Sequence, residues 1–101
     1  MAETRLTAFS VKVKVYFHTI NHNNDATYLR NSFGDCVYSV TSDATLYEGD
    51  FENGGKCIGR FKLQGGRWYY ESTDELHLVH ATPPSNDLLA TEVVVFKHYL
   101  G

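Results

Sequence analysis

Residues 46–72, LYEGDFENGGKCIGRFKLQGGRWYYES, carry the fold class in their rhythm. Apolar and polar residues alternate, the period-two mark of a strand with one wet face. Glycine pairs at Gly54-Gly55 and Gly65-Gly66 interrupt the alternation at hairpin spacing. If Asn53-Gly54-Gly55 is a three-residue loop, Glu52 is expected opposite Lys56, Phe51 opposite Cys57, Gly49 opposite Gly59, Glu48 opposite Arg60 and Tyr47 opposite Phe61. Acid then meets base on one side and apolar or small residues meet on the other, a match that a one-residue slip would scramble. The facing glycines Gly49 and Gly59 would leave a notch in the inner face. Gly65-Gly66 suits a primed two-residue turn, because glycine accepts positive φ at both central places. That turn sets Leu63 opposite Trp68, Phe61 opposite Tyr70 and Lys62 opposite Tyr69. The expectation is a three-stranded antiparallel meander.

The rest of the chain extends this pattern. Residues 7–18 place Phe9, Val11, Val13, Val15 and Phe17 on one face and Ser10, Lys12, Lys14, Tyr16 and His18 on the other, as one long strand. Residues 36–41 alternate, residues 76–81 form another candidate, and Pro83-Pro84 exclude a paired central strand just after it. Residues 91–100, TEVVVFKHYL, are apolar on both sides of an alternating pattern and predict a strand covered on both faces. Asn23, Asn24 and Asp25 before residues 26–33, with Gly34 after, fit either two turns of helix or an ordered loop. The sum is a mainly β domain (all-β or α+β) over residues 1–101. Its expected form is a small antiparallel β-barrel or roll of about seven strands, with at most one short helix near residues 25–33.

The central hairpin resembles a MORN repeat at Tyr47, Gly49, Phe51, Asn53-Gly54, Gly59, Gly66 and Tyr69. Proteins of that family stack many such hairpins and are linked to scaffolding and membrane-associated roles. The resemblance covers about 25 of the 101 residues, Glu71 replaces the closing glycine, and no second copy follows. A lone unit cannot bury its face by stacking on like units, so the resemblance implies hairpin chemistry and no function.

Composition narrows the function classes. With 43% hydrophobic and 14% aromatic residues, the chain can build one core without disulfides or metals. Nine Lys/Arg against twelve Asp/Glu give a net charge of −3, the wrong sign for a duplex-binding face, and nucleic acid is not the expected partner. There is no signal peptide and no apolar run of membrane-spanning length, so a cytoplasmic protein with its two cysteines, Cys36 and Cys57, as free thiols is expected. The initial Met and Ala read as the start of an intact small gene product.

No phosphate loop, nucleophile elbow or zinc-ligand spacing is present, and neither a cofactor nor a metal is expected. His77 and His80 differ by an odd number and would face opposite sides of a strand. His18 and His22, with Asp25 close behind, flank a bend. Cys36 and Cys57 fall on expected inner faces as packing residues. The leading expectation is a non-enzymatic module that binds another protein, an inhibitor or adaptor of the kind phages and viruses encode. Its contacts would be Lys14, Tyr16, Arg60, Lys62, Arg67 and Tyr69, because tyrosine and arginine concentrate interface energy. The alternative is a barrel holding a small apolar ligand among Gly49, Gly59, Phe61, Trp68, Tyr70 and His98, with His- or Tyr-assisted isomerase or cyclase activity. A homodimer made by edge-to-edge pairing of the first and last strands is a further expectation.

Overall fold

The computed structural model describes residues 7–13, 16–23, 25–73 and 86–101. They form one seven-stranded antiparallel sheet and one helix, so the mainly β reading holds. The strands are β1 (Thr7–Val13), β2 (Tyr16–Asn23), β3 (Ala26–Arg30), β4 (Cys36–Val40), β5 (Thr45–Glu48), β6 (Lys56–Gln64) and β7 (Arg67–Ser72), and α1 spans Leu88–Leu100. Each strand pairs with its neighbour in sequence, giving the order β1-β2-β3-β4-β5-β6-β7. Among the described residues no ladder joins β1 to β7. Register shifts at Leu29/Arg30 and Leu46/Tyr47 are β-bulges, which bend strands and increase twist.

Among the described residues the membership of the strands differs from the expectation. The expected first strand is a hairpin in which Val13 pairs with Tyr16 and Val11 with His18, so an alternating run continues through a reversal. Residues 26–30 are a strand rather than a helix. Asp25 is not an N-cap but a turn residue with φ 66°, a left-handed conformation that Asp tolerates better than most residues. Gly34 is not a helix cap either. It sits in the β3–β4 turn with φ 85°, where the Asn31 side chain accepts from Phe33 N at 2.9 Å and Asp35 N at 3.0 Å. The expected strand over residues 76–81 lies outside the described residues.

The largest correction is at residues 91–100, which are helical. The helix begins earlier than the pattern suggested, at Leu88, where the Asp87 side chain accepts from Leu89 N at 3.1 Å. It ends at Gly101, whose N–H donates to His98 O at 3.3 Å. Leu88, Leu89, Thr91, Glu92, Val95, Phe96, Tyr99 and Leu100 recur at helical spacing and turn towards the sheet. The β-branched run Val93–Val95 is a weak helix former, and burial overrides it. An edge-to-edge dimer of the first and last strands therefore loses one of its two strands.

The core lies between α1 and one face of the sheet. Ile20, Leu29, Val40, Leu46, Val95 and Phe96 are fully covered, and Tyr38 stacks on both Phe96 and Tyr99 with ring centroids 6.2 and 5.5 Å apart. Burying six such side chains contributes on the order of 10 kcal/mol before chain entropy is subtracted. On the opposite face, residues 49–55 fold back across β3 and β4. Ser39 Oγ donates to Gly49 O at 2.7 Å and accepts from Phe51 N at 3.0 Å, and Phe51 stacks on Tyr28 at 5.8 Å.

This loop overturns the register expected for the central hairpin. Residues 49–55 form the connection, Glu48 faces Lys56, Tyr47 faces Cys57, Leu46 faces Gly59 and Thr45 faces Arg60. Gly49 and Gly59 do not face each other. The Gly65-Gly66 turn and its partners are as expected: Leu63 faces Trp68, Lys62 faces Tyr69 and Phe61 faces Tyr70, with φ of 60° and 75° at the glycines.

Candidate functional site

Where α1 begins, it does not fully cover the sheet. A cleft of about 390 Å3 remains there, lined by His22 and Asp25 from the β2–β3 side, Thr27 from β3, and Thr41, Ser42 and Ala44 from the β4–β5 turn. Trp68 on β7 and Leu88, Leu89 and Glu92 on α1 complete the lining. The two non-glycine residues with positive φ among those described, Asp25 at 66° and Ala44 at 65°, both lie in this wall. Such backbone costs about 1 kcal/mol per residue and persists where surrounding structure over-determines it. The β4–β5 turn is held by Ala44 N donating to Thr41 O at 2.9 Å, Thr41 N donating to Thr45 O at 3.0 Å and a Thr41–Asp43 side-chain hydrogen bond.

Glu92 is the chemical centre of the cleft. Its residue surface is only 2% exposed, and no Lys or Arg stands among the described residues of the wall. Thr27 Oγ1 donates to the carboxyl, lying 3.2 Å from Oε1 and 3.3 Å from Oε2, and stands 3.1 Å from His22 Nδ1. The hydroxyl has one hydrogen. With that hydrogen directed at Glu92, His22 Nδ1 must carry the proton it donates to Thr27, and Nε2 is left as a bare acceptor. Among the described residues His22 Nε2 is buried without a hydrogen-bond partner, as is Nδ1 of His18 four residues earlier on β2.

These surroundings move both titrating groups towards neutrality. Burial pushes the Glu92 carboxyl up to about 7, against a smaller downward pull from the Thr27 hydrogen bond, and the Asp87 carboxylate adds to the rise. Burial lowers the His22 imidazole below its ordinary value. A carboxyl and an imidazole joined through one hydroxyl, beside a half-apolar cavity, can exchange a proton with a bound molecule near neutral pH.

The residues expected to form a ligand cavity are dispersed. Only Trp68 lines the cleft. Phe61 and Tyr70 pack in the core, Gly49 lies in the loop on the other face, and His98 is exposed near the end of α1. A Cβ placed on Gly59 would lie 2.0 Å from the Tyr70 hydroxyl oxygen, so the notch there is already filled by that ring. The ring is fixed by donation to Ile58 O at 3.1 Å and by a 2.9 Å hydrogen bond with the Tyr99 hydroxyl.

The expected protein contacts are brought together in part. Arg60, Lys62, Arg67 and Tyr69 share the outer face of the β6–β7 hairpin, with Lys62 paired to Glu71 at 2.7 Å. Tyr16 opens β2, but its side chain, like the whole of Lys14, lies outside the described residues, as do His77 and His80. Cys57 is exposed rather than inward, a consequence of the shifted register, while Cys36 is partly buried, and both thiols are free. Among the described residues no group of three or more His, Cys, Asp or Glu is placed to hold a metal ion, and no helix is long and apolar enough to cross a membrane.

Glu92, Thr27 and His22 were not gathered by sequence reasoning. The signal for Glu92 was present: one acid in the run LLATEVVVF, four residues after Leu88 and four before Phe96. On a helix it falls on the buried stripe, whereas on a strand it had no assigned partner. Comparison with protein-family models, curated proteins and solved structures finds no match to this chain, the MORN-like hairpin included.

Proposed function

We propose that the chain is a small-molecule-binding protein whose site is the cleft between the start of α1 and the sheet. The observation that carries this reading is Glu92: a carboxyl removed from water, given one shared hydrogen bond, and facing a cavity beside Trp68, Leu88 and Leu89. Burying an under-satisfied carboxyl is costly, and a core chosen only for stability would place an apolar residue there. A ligand with an apolar body and one polar group fits such a wall, with the polar group meeting Glu92. The site differs from the barrel interior expected from sequence, and the ligand differs from the small apolar one expected there by carrying a polar group.

Trp68 is the sole tryptophan, which makes its fluorescence a direct reporter. Titration of a small aromatic compound library should shift that emission with saturation, and Leu89→Arg, which crowds the wall with a charged chain, should abolish the shift. A set of several hundred compounds with no saturable response would reject the reading.

A second reading has its own support. Arg60, Lys62, Arg67 and Tyr69 converge on one exposed hairpin face at the β7 edge of the sheet, the arrangement expected of a protein contact. Tyr69→Ala combined with Arg60→Ala would then release a protein partner while leaving the Trp68 response to small ligands unchanged.

A further inference from the structure

The polar groups of the cleft are unbalanced in a way that specifies its occupant. Glu92 offers two oxygens that share a single donated hydrogen, Asp25 offers a second carboxyl, and the neutral His22 imidazole, engaged through Nδ1 with Thr27, brings no balancing cation. The side-chain donors open in the wall are the Ser42 hydroxyl and the Trp68 indole N–H, both neutral, since the Thr41 hydroxyl already donates to Asp43. Neither Lys nor Arg is among the described lining residues, and Asp87 at the helix cap adds a third carboxylate near Glu92. An anionic ligand would face repulsion from every charge in view. An ammonium group has three donors, no acceptor and the opposite charge. Trp68 adds the aromatic face with the strongest attraction for cations, and the leucines suit an apolar body.

We propose that the cleft selects small organic cations, an ammonium carried on an aromatic or aliphatic body, held by Glu92, Asp25 and the Trp68 ring. The proposal rests on the ligand-binding reading above and narrows it to one chemical class. Binding and proton release are coupled. The ammonium favours the ionised carboxyl, so a molecule arriving while Glu92 is protonated displaces that proton to solvent. The groups that set this balance are His22 on β2, acting through Thr27, Asp25 in the turn before β3, and Asp87 at the start of α1. Trp68 contributes no titrating group from β7.

The test uses the whole chain and three isosteric probes: benzylamine, benzyl alcohol and benzoate, followed by Trp68 fluorescence and by calorimetry. Benzylamine should bind most tightly, with affinity rising roughly tenfold between about pH 6 and pH 8 as Glu92 ionises, and with measurable proton release at the lower pH. Benzyl alcohol should show no such trend. Glu92→Gln should flatten the benzylamine profile. Asp25→Asn, which keeps a residue at ease with positive φ, should weaken benzylamine severalfold without changing benzyl alcohol. If benzyl alcohol or benzoate bound as tightly as benzylamine, or if benzylamine affinity in the unmodified chain were independent of pH, the cation assignment would fall and the cleft would stand as a site for another class. Silence of all three probes at concentrations on the order of 10 mM would overturn both.

Discussion

The two faces of the sheet treat acidic residues in opposite ways. On the outer face Asp50 and Glu52 ride on the 49–55 loop in contact with water, Tyr28 donates to Glu52 at 3.4 Å, and Arg30 sits over the Tyr28 ring at 5.5 Å. The clefts there, of about 340 and 280 Å3, are bordered by Asn21, Asn23, Arg30 and these acids. On the face covered by α1 a single carboxyl, Glu92, is enclosed with a hydroxyl and an imidazole. A loop can shelter a surface while leaving charges solvated, whereas a helix packed on a sheet removes water and forces any acid beneath it to find another way to be neutral. The contrast teaches where chemistry concentrates: under the element that excludes water, at the end where its coverage is incomplete.

The faces should differ most in what they contribute to stability. Phe96→Ala, beneath the helix and fully covered, should cost about 3–5 kcal/mol in urea unfolding, against about 1 kcal/mol for the half-covered Phe51→Ala under the loop. Equal losses would erase the distinction between core and cover. Next in size is a pH effect confined to the helix side. The folded chain holds the Glu92 proton up to about pH 7, while an ordinary glutamate loses it near 4.5. Between those values the folded state binds more protons than the unfolded state. This contribution is complete below about pH 4.5 and is lost as pH rises through 7, by up to about 3 kcal/mol. His22, whose imidazole is lowered, acts in the opposite sense as pH falls below its ordinary 6.5. Comparing Glu92→Gln with the parent isolates the first effect: the variant should lack the decline between pH 5 and 8, and a parallel decline in both would assign it elsewhere.

Smaller still is the expected cost of Gly59→Ala, about 2 kcal/mol, because the new methyl meets the fixed Tyr70 ring. Most of that cost should vanish in a Tyr70→Ala background, measured as a double-mutant cycle. The least effect belongs to the outer face of β6–β7. Lys62→Ala should change stability by under about 1 kcal/mol, since both partners of the Lys62–Glu71 pair are substantially exposed, and high salt should reduce even that.

Legibility in the sequence follows the same division. The Gly65-Gly66 hairpin was readable because its register depends only on adjacent residues and on a turn that glycine alone enters comfortably. The neighbouring hairpin misled because Ser39, in a different strand, captures residues 49 and 51 and draws them into a longer loop. Charge complementarity could not discriminate, since Glu48 meets Lys56 in the observed register as readily as it met Arg60 in the expected one. The helix was hidden by its β-branched middle, and with it went the site: Glu92, Thr27 and His22 come from three elements, and 65 positions separate the two hydrogen-bonded through Thr27 Oγ1 and the Glu92 carboxyl. Local patterns specify pairing; they do not specify what is laid over the pairs.

The uninterrupted strand order has a kinetic consequence. Every ladder joins consecutive segments, so the sheet can assemble by successive short loop closures, each with a small entropic barrier. Helix docking is different, since it must bring α1 back across the sheet to Phe61, Tyr38 and Ile20 from far along the chain. The helix should therefore dock after the meander has formed, and an apolar sheet face would stand briefly open to water. That interval, rather than strand pairing, is where this chain is most exposed to self-association and where a chaperone would have something to hold.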